Sequence, residues 1–102
     1  MKLIKCLSEK IECEIHDASE YIDLAMKWKH DEPDTADVFY ELSLSEMEHM
    51  EKLHNEVVEL IEEYRKEHGE PPKEMLTLYD YLHERHIADA TQVKIKQGMY
   101  KA

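Results

Sequence analysis

Strong helix breakers occur at only two places in this chain, His30-Asp31-Glu32-Pro33-Asp34 and His68-Gly69-Glu70-Pro71-Pro72. Two Gly and three Pro are all it contains in 102 residues. Proline removes a backbone donor and glycine supplies conformations that stop a helix, so these clusters divide the chain into three long uninterrupted segments. Within each segment apolar residues return every three or four positions, the spacing of one helical face. The first carries Ile4, Leu7, Ile11, Ile15, Ala18, Ile22 and Ala25; the second Phe39, Leu42, Met50, Leu53, Val57, Leu60 and Tyr64; the third Leu76, Tyr79, Leu82, Ile87, Ala90 and Val93. No segment alternates with period two. The pattern predicts one all-α domain with helices over about 3–29, 35–67 and 73–96. Asp34 or Thr35 is the expected N-cap of the second helix, and Gly69 the residue that ends it.

Helices of this length need a partner for their apolar stripes. The second would be ~50 Å long, and three such helices, an antiparallel hairpin plus a third helix, make a thin layer with two faces. The expectation is a homodimer or a higher homo-oligomer that buries the remaining stripe. Charge restricts the other partners. Lys and Arg number 13 against 24 Asp and Glu, a net charge of −11. That sign opposes phosphate binding, so nucleic acid is not expected. No run approaches the ~20 apolar residues that span a bilayer, and the opening Met-Lys-Leu-Ile-Lys-Cys turns charged before a signal-type apolar core forms. A cytoplasmic location is expected. Cys6 and Cys13 on one helix are ~10 Å apart along its axis, beyond disulfide reach, and read as free thiols.

The polar residues that interrupt the apolar stripes carry the chemistry. Leu7, Glu14, Tyr21 and Trp28 follow one heptad line, which puts Glu14 in the middle of the first helix's seam. In the second helix Phe39, Leu42, Glu46, His49 and Leu53 put Glu46 and His49 on the seam, one turn apart. A carboxylate in such a place is unfavourable unless paired, hydrogen-bonded or bound to metal. Each residue alone reads as ordinary core chemistry, a snorkelling glutamate or a satisfied histidine. Their heights favour a joint role: measured from the first turn, Glu14 lies ~27 Å up its helix, and Glu46 and His49 lie ~21–26 Å up theirs. A second Glu-x-x-His pair, Glu51 and His54, falls off the seam and reads as solvated surface, as do His16, His30 and His68. Tyr21 and Trp28 read as core aromatics.

The third helix offers Asp80, His83 and His86. His83 and His86 fit an a/d series with Leu76, Tyr79, Ala90 and Val93, and Asp80 precedes His83 by one turn. In a simple hairpin they miss His49 by ~12 Å in height, so either this helix docks on another subunit or its histidines serve a separate purpose.

Glu14-x6-Tyr21, a proline-containing break and then Phe39-Tyr-Glu-Leu-Ser-Leu-Ser-Glu46-Met-Glu-His49-Met resemble the first half of a ferritin-like or rubrerythrin-like bundle, over roughly residues 8–57. Full-length members carry two such halves, so the chain is most similar to the half-bundle encapsulated ferritins. The resemblance implies a four-helix ferritin-like bundle completed by dimerisation, with a di-iron site at the interface and Fe(II) oxidation as its activity. It implies Glu14 as a bridging or terminal carboxylate, Glu46 as a bridging carboxylate and His49 as a terminal ligand. It also implies a protein shell or other assembly partner. Asp80-x-x-His83-Glu84 resembles part of a rubrerythrin fourth helix, with Asp in place of Glu. Two copies of Glu plus Glu-x-x-His supply four carboxylates and two imidazoles, the ligand set of di-metal bundles. Iron or manganese suits such donors, and zinc is an alternative. The competing reading is a small acidic helical interaction or assembly protein, phage- or operon-associated, whose seam polar residues set register without metal.

Overall fold

A computed structural model describes residues 2–102. It is all-α: α1 spans Lys2–Trp28, α2 Pro33–His68 and α3 Lys73–Lys101. α1 and α2 form the expected antiparallel hairpin. Alanines and a serine without solvent exposure (Ala18, Ala25, Ala36, Ser43) let the two backbones approach closely, and Ile11, Ile15, Ile22, Val57 and Ile61 fill the space along them.

α3 runs back antiparallel to α2 and packs against both helices of the hairpin, more closely against α1. Tyr100 donates a hydrogen bond to Asp37 and stacks on Tyr40, Gln97 reaches Ser43, and His83 stacks on His54. The molecule measures 56 × 19 × 17 Å. The two short extents are nearly equal, so α3 lies in the groove beside the hairpin and a thin layer is not formed. The physical reason is a core shared by three helices, in which Ala90 and Val93 of α3 join Ile11, Ile15, Ala18, Met47 and Val57.

Several local expectations change. α2 starts at Pro33, with Glu32 at the N-cap and no side-chain cap, in place of Asp34 or Thr35. Proline at the first helical position lacks the donor that a cap would satisfy, and the amide of Ala36 donates to the Glu32 carbonyl at 2.9 Å. Gly69 ends α2 at φ 80°, a conformation that favours glycine, and its amide donates to Arg65. α3 continues to Lys101, past the expected end near 96, because buried Tyr100 anchors it: Lys29 Nζ donates to the Tyr100 carbonyl at 2.6 Å. Ile87, expected on the buried stripe, is exposed, and buried His86 takes that face.

One face of the hairpin is left uncovered. α3 engages α1 through Glu12–Arg85 at 3.4 Å and Asp23–Lys96 at 2.8 Å. Positions two residues away on a helix point ~200° apart, which turns Glu14 and Tyr21 away from α3. Leu3, Val38 and Leu42 are exposed on that far side, and Trp28, expected in the core, is 38% exposed there.

Candidate metal centre

The register of the hairpin decides which side chains meet. Ser43 Oγ donates to the carbonyl of Ala18 at 2.8 Å, and Tyr21 stacks on Phe39 with ring centroids 6.4 Å apart. These two contacts pin α1 against α2 at neighbouring levels. One turn along from the Ala18–Ser43 bond, the same register places Glu14 opposite Glu46 and His49, which share a face because they are three residues apart on α2.

The three side chains converge. His49 Nδ1 lies 3.5 Å from Glu14 Oε2 and 3.8 Å from Glu46 Oε2. One donor atom from each residue falls within 4.8 Å of the others, and this is the one group of at least three such side chains gathered so closely among the described residues. The glutamates are mostly buried, with side chains 23% and 19% exposed, whereas His49 is 55% exposed at the rim. Glu14 Oε2 is buried and accepts no hydrogen bond. A buried carboxylate oxygen without a donor is the arrangement that a cation relieves. Oxygen and imidazole donors in this ratio suit iron, manganese or zinc, and three donors per chain leave coordination positions open.

The α3 candidates are not part of this group. Asp80 is exposed and His83 stacks on His54 and Tyr79, with centroids 4.8 and 5.7 Å apart. α3 packs on its own hairpin, and His83 meets α2 at His54, five residues beyond His49, so it misses His49 in height. His54 is therefore half-buried against His83 and not the solvated residue its place off the seam suggests. Burial holds the His54 imidazole below its ordinary pKa and neighbouring His83 lowers it further, against the opposing pull of Glu51. His86 is also lowered, first by burial, with Glu12 and Asp89 opposing and His83 and Arg85 adding to the effect. Its Nε2 is buried without a hydrogen-bond partner.

Two structural residues escaped the sequence reading. Ser43 and Gln97 form a buried polar link across all three helices: Gln97 Nε2 donates to Ser43 Oγ at 3.0 Å, and Ser43 donates to Ala18. The available signal was Ser43 standing seven residues after Ala36 and four before Met47, on an otherwise apolar line. Cys6 and Cys13 are free and exposed, as expected. No helix among the described residues is long and apolar enough to cross a membrane. Comparison with known proteins finds no matching family model, no curated protein and no solved structure of significant similarity.

Proposed function

We propose that this chain is a ferritin-like metal-binding protein, in which two copies join the open faces of their hairpins around a dinuclear centre. Each copy contributes Glu14, Glu46 and His49. The observation that carries this reading is the convergence of those three donors around the buried Glu14 Oε2, which accepts no hydrogen bond, on the face that α3 leaves bare. A two-fold axis through that face gives four carboxylates and two imidazoles, in balance with two divalent ions. It also covers Leu42 and Trp28, which are otherwise exposed.

Within the centre the residues have distinct tasks. Glu14 and Glu46 would neutralise bound cations, whose charge would in turn offset the repulsion between the two carboxylates. His49, at the rim, presents Nδ1 toward both glutamates and closes the group on the solvent side. Iron is the metal we assign, with manganese and zinc as alternatives, and bound iron would supply the redox capacity for Fe(II) oxidation by O₂. The competing reading, an acidic helical assembly protein, needs no metal.

The deciding experiment is metal content after anaerobic loading with Fe(II), for the wild type, His49→Ala, Glu46→Ala and the exposed control Glu51→Ala. We expect about one metal per chain in the wild type and in Glu51→Ala, and loss in the other two. A wild type without bound metal refutes the proposal and leaves the assembly reading.

A further inference from the structure

Where α1 begins, α2 ends and α3 begins, the three helices enclose a cavity of about 190 Å³. Its walls are mostly apolar, with Ile4, Ile61, Leu76 and Leu82 among them, and Lys5 and Ser8 of α1 join that lining. The packing accounts for the space. Farther along, Ala18 and Ser43 draw α1 and α2 together without solvent exposure, whereas the larger side chains of Ile4, Ile61 and Leu76 keep the axes apart here.

Two observations point to a ligand. The first is Ser8, which is 6% exposed and whose hydroxyl forms no hydrogen bond among the described residues. A hydroxyl on a helix is commonly satisfied by the carbonyl one turn earlier, as Thr77 is by Lys73 and Thr91 by Ile87. Ser8 lacks that bond and lines the cavity instead. Water is a poor substitute partner, because apolar cavities of ~150 Å³ stay dry and take up small hydrocarbons. The second observation is Lys5, three residues earlier on the same face of α1, exposed and without an ion pair among the described residues. Residues 1–8 hold Lys2 and Lys5 and no acidic residue, in a chain of net charge −11. Of the acids at the end of α2, Glu62 and Glu70 are engaged by Arg65.

We infer that this cavity binds a small amphiphilic carboxylate, with its apolar body between Ile4, Ile61, Leu76 and Leu82 and its carboxylate at Ser8 and Lys5. Size sets the body. The space exceeds the ~150 Å³ that holds benzene and falls below the ~300 Å³ at which drug-sized pockets begin, so one short chain or ring fits and a two-chain lipid does not. The donors set the head group. A hydroxyl and an ammonium both have protons to give, and an ionised carboxylate offers two oxygens that only accept. This site uses none of Glu14, Glu46 and His49, and it stands whether or not those residues bind metal.

Calorimetric titration of the full chain with sodium octanoate tests the inference. Binding should saturate at one octanoate per chain and tighten about fourfold per added methylene across butanoate, hexanoate and octanoate. The uncharged 1-octanol should bind more weakly than octanoate. Lys5→Glu, a change at an exposed position, should weaken octanoate about tenfold and leave 1-octanol unchanged. Ser8→Leu fills the cavity and removes the hydroxyl, so it should abolish octanoate binding and raise the melting temperature. The inference is overturned by a wild type without saturable octanoate binding, by an affinity indifferent to chain length, or by 1-octanol binding as tightly as octanoate. Equal loss of both ligands in Lys5→Glu overturns it too. So does octanoate binding that survives in Ser8→Leu with an unchanged helical spectrum, since that places the site elsewhere.

Discussion

Removing the charge of Glu14 should strengthen the metal-free protein and weaken the metal-loaded one. Glu14 and Glu46 hold carboxylate oxygens within 4.8 Å of each other, with side chains 23% and 19% exposed. Two unit charges at that separation repel by ~0.9 kcal/mol in water and by ~3.5 kcal/mol at the effective dielectric of a protein surface. Partial exposure places the real figure between these limits, at about 1–3 kcal/mol. Glu14→Gln keeps the shape and removes the repulsion, and its amide can donate to Glu46. The variant should therefore unfold higher than the wild type in chelator, by roughly 4–8 °C for each kcal/mol in a domain of this size. With Mn(II) at about a hundred times its dissociation constant, the wild type should gain ~2.7 kcal/mol and the variant almost nothing, so the order inverts. Thermal unfolding followed by circular dichroism at about pH 8.5 reads both states with histidine cations scarce. A Glu14→Gln protein less stable than the wild type in chelator would refute the reasoning. It would mean that the charge of Glu14 is held by a cationic partner and that the cluster is a structural ion pair.

Three further outcomes are expected. Because His54 and His86 are held below the ordinary histidine value of 6.5, the unfolded chain takes up their protons first; the stability they permit is complete above about 6.5 and is lost as pH falls below it. Urea midpoints from about pH 7 to about pH 5 should fall more steeply for the wild type than for His54→Gln/His86→Gln, and equal slopes would remove the histidines from the account. Ser43→Ala leaves the buried Gln97 amide without its acceptor and should cost about 1–3 kcal/mol by denaturant titration. Adding Gln97→Leu should then recover part of the loss, and simple additivity would show that the two residues are not coupled. The Tyr100 phenol is pushed up to about 12, first by its hydrogen bond to Asp37 and then by burial, so its contribution is present below about pH 10 and lost as pH rises through about 12. Ultraviolet titration of Tyr100→Phe should lack one late-ionising phenol among the six tyrosines.

The helices and the hairpin are legible in the order of residues alone, because both are local properties. Two breaker clusters and a steady three-and-four spacing leave no alternative to three long helices. A short turn forces the first two to be antiparallel, and rise per residue alone then brings Glu14 level with Glu46 and His49. What the periodicity could not decide was how α3 lies. Its apolar residues cover two faces, so spacing cannot choose between Ile87 outside and His86 inside, or tell the stripe of Val93 and Tyr100 from that of Ile95 and Met99. That choice is made in three dimensions, where Gln97 finds Ser43, Tyr100 finds Asp37 and Tyr40, and His83 covers His54. Pairings between residues 29 to 63 positions apart leave no local period to read. They settle which histidines are buried and which face of the hairpin stays open, and the Glu14 cluster lies on that open face because α3 occupies the other.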